Sequence, residues 1–238
     1  MKRIELRKVP CGETFTVFGE EYVVLDHVDG GVLSIRKSIW KDASFDANAS
    51  SDLSGASILR LLNSEYKELL VKNGATDNDF LPLTIDLKAT DGTRAYGYLT
   101  DSDVGLLTLE QYGKYKEIIP KVDGWWWLAT PVWTRWLCSP YTGGTGGVWS
   151  VRSDGGYVGR YADDPCGVRP VLTFDSCLLV SWQDDEGNQG TSDEEVQKGK
   201  RWGAYIEYLN DWADNHSSSE CYGAAPLSFD EWLEEEYD

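Results

Sequence analysis

The side chains able to do covalent or metal chemistry are few, and their spacing argues against a catalytic centre. The chain of 238 residues holds five cysteines, Cys11, Cys138, Cys166, Cys177 and Cys221, and two histidines, His27 and His216. The cysteines are odd in number and widely spaced, with no CxxC, so neither a structural zinc nor a disulfide framework is expected. The histidines fall at a strand end and in the C-terminal region, with no nucleophile set beside either. Asp101-Ser102-Asp103 and Asp163-Asp164 offer oxygen ligands, yet neither has the spacing of a calcium loop. The GGTGG of residues 143 to 147 lacks the Lys and the following helix that a phosphate-cradling loop requires. No catalytic residue, metal ligand or cofactor is therefore expected, and the chain reads as a non-enzyme.

Non-covalent recognition is the chemistry left, and it concentrates between Ala129 and Pro170. That stretch is rich in Trp, Tyr, Arg, Gly, Ser and Thr. Trp and Tyr supply rigid contact area at low entropy cost, and Ser, Gly and Arg add adaptable polar contacts. It contains no Lys, Glu, Gln or Met, although at average usage roughly a fifth of its positions should carry one of the four. Randomising the adenines of AAC codons gives NNC, which encodes none of them; a Gly-rich β-loop region that excludes long side chains gives the same absence. Thr134, Arg135, Leu137, Tyr141, Thr142, Arg152, Tyr157, Gly159, Arg160, Tyr161, Asp163 and Asp164 are the candidate ligand-binding positions that NNC can encode. Trp133, Trp136 and Trp149 complete the candidate face but cannot come from NNC; each is either a loop anchor or an exposed hot spot.

The elements that must position this stretch are legible as patterns. Residues 13 to 37 alternate apolar and polar, with breaks at Phe18-Gly19-Glu20 and Asp29-Gly30-Gly31, and predict a three-stranded meander. Residues 41 to 55 read as a loop. From Ser54, the helical spacing of Ile58, Leu61, Leu62, Tyr66, Leu69 and Leu70 predicts an amphipathic helix ending at Asn73-Gly74. A short strand, an Asp91-Gly92 turn and a second helix from Leu109 to Tyr115 follow, the helix capped by Thr108 with Gln111 completing the box. In the Trp triplet, strand alternation places Trp125 and Trp127 on one face and Trp126 and Leu128 on the other, so one pair is core. Val171-Leu172-Thr173-Phe174 predicts a final strand, followed by an apolar Cys177-Leu178-Leu179-Val180.

Charge divides the chain. Of the net −18, residues 183 to 238 carry 16 acidic and 3 basic side chains, a balance of −13, which leaves −5 for residues 1 to 182. This predicts a main domain over 1–182, an acidic linker over 183–200 and a helical tail over 201–238. In the tail Trp202, Tyr205, Ile206, Leu209 and Trp212 form one apolar face, and Ser228-Phe229-Asp230-Glu231 caps a last short helix. Such an aromatic stripe docks on the chain's own domain or on a partner. Neither part has the basic stripe that nucleic acid or anionic membrane requires, so both are excluded as partners. No secretory signal or membrane-length apolar run is read, which predicts synthesis as a soluble cytosolic protein.

Three motifs in one order carry a resemblance. Trp126 to Pro131 (WWLATP), Val151 to Gly155 (V-x-SDG, with Arg152 as the x) and Gly167 to Leu172 (GVRPVL) are similar to the signature of a domain of unknown function widespread in phages and prophages of Gram-positive bacteria. The likeness extends over about residues 5 to 180 and includes SSDLSGASILRLLNSEY and YGKYKEIIPK. Members of that family are often variable proteins of diversity-generating retroelements. The resemblance implies an α+β chain with a C-type lectin-like fold of the formylglycine-generating-enzyme branch, carrying a C-terminal helical appendage. It also implies a hypervariable surface over about 129–170 that recognises a protein or glycan, a phage receptor-binding or accessory role, virion association, and docking of the tail to a phage or host component. The chain departs from the pattern in placing this stretch before a sizeable tail. The alternatives are a lectin-like module of fixed specificity and a formylglycine-type oxidase, which would need paired reactive cysteines. Under the main reading Trp126, Trp127 and Arg169 are buried framework, while Tyr157, Arg160 and Tyr161 are exposed. Arg169 is assigned to pinning loop carbonyls, with direct ligand contact as its alternative.

Overall fold

The computed structural model describes residues 2 to 132 and 147 to 183. The chain opens with β1 (Lys2–Glu5) and then forms the meander expected from its alternation, β2 (Thr14–Val17), β3 (Glu20–Val28) and β4 (Gly31–Arg36). The first hairpin turns at Phe18 and Gly19, both left-handed (φ 51° and 76°), a turn that matches the twist of paired strands. The meander is covered on both faces: Phe15, Tyr22 and Val24 are buried on one side, and Val23 and Ile35 on the other. At Arg36 the chain leaves this sheet, and β5 (Lys41–Ser44) joins a second one. A loop was expected from 41 to 55; its first residues instead pair with a distant strand, Cys166 opposite Ala43, a long-range contact that local composition does not encode.

A continuous helix follows, built from α1 (Ser57–Leu61), a π turn (Leu62–Tyr66) and α2 (Lys67–Lys72). It starts three residues later than its apolar spacing predicts. Ser57 donates its backbone N–H to Asp46 Oδ1 at 2.9 Å, a cap supplied from eleven residues upstream. Ile58, Leu62, Tyr66 and Leu70 bury the predicted face, and the Tyr66 hydroxyl meets that of Tyr22 at 2.6 Å, tying the helix to the meander. The helix ends at Asn73, and Gly74 takes a φ of 103°, where a side chain would be strained.

The chain returns as β6 (Phe80–Leu81), forms a separate two-stranded ladder from β7 (Leu83–Asp86) and β8 (Tyr98–Ser102), and rejoins the first sheet as β9 (Val104–Gly105). The second helix, α3 (Leu109–Tyr115), has the expected box: Gln111 N donates to Thr108 Oγ1 at 3.1 Å and Thr108 N donates to Gln111 Oε1 at 3.0 Å. Four strands then build the second sheet, β10 (Trp126–Pro131), β11 (Gly147–Val151), β12 (Tyr157–Tyr161) and β13 (Pro165–Val168). The chain re-enters the first sheet as β14 (Val171–Asp175), between β4 and β6. A further strand, β15 (Leu179–Trp182), lies between β1 and β2, so Val171–Phe174 is not the last strand. The result is an eight-stranded sheet ordered β1-β15-β2-β3-β4-β14-β6, with β9 also paired to β14, and a five-stranded sheet ordered β12-β11-β10-β13-β5. The described chain is thus a mixed, mainly β structure with two helices. The tail, and all but the first residue of the linker, lie outside the described residues.

Within the described residues the chain passes between the two sheets four times, at β4 to β5, β5 to β6, β9 to β10 and β13 to β14. Arg169, in the two-residue passage from β13 to β14, is 1% exposed and donates to carbonyls of two other passages. Nε reaches Arg36 O at 3.1 Å, one terminal nitrogen reaches Lys37 O at 2.8 Å, and the other reaches Pro120 O at 3.3 Å. Its guanidinium also lies 4.8 Å from the centre of the Trp126 ring. Burial pulls its pKa down to about 10, still well above neutrality, so the group is a buried cation.

A lysine retains the charge but not the planar fork, so two of the three carbonyl bonds should be lost. Arg169→Lys should destabilise the fold by about 3 kcal/mol, measured by urea unfolding of the full chain. An unchanged midpoint would show that the three bonds do not hold the sheets together.

Candidate functional site

Each motif has a local structural cause. The middle of β10 leaves the regular ladder with β11, whose register shifts between Trp127 and Pro131, and turns its polar groups to the start of α3. Ala129 N donates to Leu107 O at 2.7 Å, and Thr130 Oγ1 accepts from Leu109 N at 2.8 Å, a second cap for α3. Trp126 packs edge-on to Tyr112 of α3 at 5.6 Å, while Trp127 packs against Phe45 at 5.7 Å and donates its indole N–H to Ala43 O at 2.9 Å. Expecting one buried face was therefore a partial reading: Trp126 through Pro131 are all buried, and Trp125 alone of the triplet is exposed. A strand interior to its sheet and covered on both faces loses the polar side of its alternation.

The V-x-SDG motif is the turn joining β11 to β12. Gly155 adopts a φ of 90°, and Asp154 accepts the Gly156 N–H at 2.9 Å and the Arg152 guanidinium at 2.6 Å. That backbone N–H, foremost, holds the Asp154 carboxyl below its usual pKa. Tyr112 Oη donates to Gly155 O at 2.7 Å, fastening the turn to α3. At the far end, Gly167 N donates to Trp125 O at 2.8 Å, and Trp126 and Gly167 are partners in a parallel pairing. A Cβ on Gly167 would stand 2.6 Å from that same oxygen, so only glycine permits the approach. The two outer motifs thus touch, and the chain between them leaves and returns at one fixed point.

On the hairpin, alternation sorts the candidate residues. Tyr157 (43% exposed), Gly159 and Tyr161 (58% exposed) lie on one side of β12. Trp149, opposite Gly159 in register, stands on the same side, half-buried and edge-on to Tyr157 at 5.3 Å. Its indole N–H donates to Thr90 Oγ1 at 3.1 Å, and that hydroxyl donates to Val132 O at 2.8 Å, so Trp149 is both an anchor and part of the face. Gly159 is less free than its exposure indicates, since a Cβ there would meet Val132 Cγ2 at 2.9 Å.

Arg160 departs from the expected exposure. As an even-numbered residue of β12 it points to the opposite side, half-buried, with its guanidinium 5.1 Å from the Trp125 ring and 3.6 Å from Asp164. Its buried Nε has no hydrogen-bond acceptor among the described residues. Arg152 is exposed in the turn, Asp163 is exposed, and Asp164 is half-buried. Trp133, Thr134, Arg135, Trp136, Leu137, Tyr141 and Thr142 lie outside the described residues. Two residues that support the hairpin stand outside the candidate set. Trp125 lies behind the sheet under Arg160, and a triplet of tryptophans on a two-sided strand was its signal. Thr90, bonded to Trp149 on the face, comes from a distant loop and carried none.

Cys166 is buried beside this hairpin, and burial pushes its thiol up to about 11, so it is protonated and unreactive near neutrality. Cys138 lies outside the described residues; Cys11 and Cys177 are exposed free thiols. Asp103, in one acidic cluster, pairs with Lys67 at 2.7 Å. Among the described residues no group of three His, Cys, Asp or Glu side chains is arranged to hold a metal ion, and no helix is long and apolar enough to cross a membrane.

Two outcomes follow from this geometry. Trp127→Ala should cost about 3–5 kcal/mol, whereas Tyr161→Ala should stay within about 0.5 kcal/mol; equal losses in thermal melts would abolish the distinction between frame and face. Alkylation of the native protein near neutral pH, read by peptide mass spectrometry, should label Cys11 and Cys177 well before Cys166. Labelling of Cys166 at the same rate would contradict its burial.

Compared with known proteins, the chain matches no family model, no curated protein and no solved structure.

Proposed function

We propose that the chain is a non-enzymatic ligand-binding protein with a C-type lectin-like fold, whose surface between residues 129 and 170 is diversified by a retroelement. The observation that carries this reading is the contact between the outer motifs: Gly167 N bonds to Trp125 O, and both motif ends are buried. Sequence between such ends can change without altering where the chain enters or leaves the sheet. The hairpin within that span offers Tyr157, Tyr161 and part of Trp149 to solvent, side chains of the kind that dominate interface energies. The ligand is a protein or glycan, met in a phage receptor-binding or accessory role, and the acidic tail docks to a phage or host component. The missing Lys, Glu, Gln and Met between Ala129 and Pro170 accord with adenine-directed rewriting.

This mechanism demands a non-coding near-copy of the variable stretch and a reverse transcriptase gene close by. Sequencing the flanking DNA should find both, and deep sequencing of the gene in a population should place nearly all substitutions between Val132 and Cys166, at codons read from adenines. An absent template with substitutions spread evenly along the chain would make this a binding module of fixed specificity.

A further inference from the structure

A cleft of about 170 Å³ lies between the end of α3, the segment from Ile119 to Val122 and the Arg152–Gly155 turn. Its cationic lining comes from Lys116, Lys121, Arg152 and Arg169, against two carboxylates, Glu117 and Asp154. Among the described residues the lining is therefore net positive by two, on a chain whose net charge is −18. Both carboxylates already have basic neighbours: Asp154 holds Arg152 at 2.6 Å, and Glu117 stands 4.0 Å from Lys116. Among the described residues, neither Arg169 nor Lys121 has a carboxylate partner. The Lys121 chain runs along the turn, so a Cβ added at Gly155 would meet its Cε at 3.4 Å.

Arg169 adds a more exacting condition. A guanidinium has five N–H donors, and the three carbonyl bonds to Arg36, Lys37 and Pro120 use only three of them. Carbonyl dipoles solvate a buried cation but do not neutralise it, and an uncompensated buried charge is costly. An oxyanion accepts from a guanidinium fork with good geometry and cancels the charge. Trp126, Val122 and Val151 add apolar groups to the wall, which strengthens a charge-assisted bond formed against them.

We propose that this cleft binds a small oxyanion, a carboxylate or phosphate group, with Arg169 and Lys121 as its main cationic contacts. The site does not use Tyr157, Gly159 or Tyr161, although its Arg152–Gly155 wall belongs to the stretch proposed to vary; anion binding is read out independently of whether that stretch is diversified.

Isothermal titration of the full chain with inorganic phosphate, acetate and succinate, each at an ionic strength held constant with chloride, tests it. Saturable one-site binding with a Kd of about 1 mM or tighter is expected for one of the two chemistries. Binding of phosphate alone assigns a tetrahedral oxyanion; binding of acetate or succinate alone assigns a carboxylate. Lys121→Glu should weaken binding by about tenfold or more while leaving the melting temperature nearly unchanged. Lys72→Glu, the same charge change at the distant end of α2, should leave Kd as it was. No saturable binding by any of the three anions up to about 20 mM, or equal weakening by both variants, overturns the proposal.

Discussion

A single buried guanidinium sits where the two sheets of this protein exchange chain. Arg169 occupies one of the four passages between them and bonds to carbonyls from two others, those of Arg36 and Lys37 and that of Pro120. Its face rests on Trp126, so the aromatic core of the second sheet is referenced to the same point. Irregular backbone at sheet crossings cannot satisfy its own carbonyls by a ladder, and burying it unpaired would cost about 1–3 kcal/mol per group. Arginine answers this where lysine would not, because its planar fork reaches several acceptors at once.

From that anchor the division of labour along residues 126 to 170 follows mechanically. β10 is held on both faces, by α3 and by the Phe45 segment, and β13 is held against it through Gly167. The hairpin of β11 and β12 hangs between them, its turn fastened by Tyr112. Alternation then does the sorting: odd positions of β12 face solvent, while Arg160 goes behind the sheet to Trp125. The proposed diversified face would need this combination, a rigid outline with side chains that support nothing else. Where the two demands meet, they compromise, as at Trp149, half contact surface and half hydrogen-bonded strut.

Much of the fold was legible because it is local. The meander, the helix face from Ile58 to Leu70 and the Thr108 box around α3 all rest on spacings within a few residues, and each is present. What the chain did not disclose is long-range. β5 looked like a loop because its strand character comes from pairing with β13, more than a hundred residues later. The start of α1 depends on Asp46 reaching across a loop, not on a neighbouring cap. The double burial of β10 and the placement of Arg160 both depend on what covers each face of the second sheet, which periodicity cannot tell. The candidate site was readable as a stretch and as a vocabulary. Three motifs in one order pointed to its ends, and the fold shows that the outer two touch. The cationic cleft left no trace in sequence, because the four basic residues of its described lining come from three separate segments of the chain.

The central claim is that the span between the outer motifs is a replaceable face on a fixed frame. A display library in which each of residues 126 to 170 is replaced in turn by every NNC outcome, scored by protease resistance, tests it most directly. The account predicts that resistance collapses at Trp126, Trp127, Gly167 and Arg169 and is nearly indifferent at Tyr157 and Tyr161, with Gly159 in between because Val132 must move. Losses spread evenly across both groups, or concentrated at the exposed tyrosines, would contradict it.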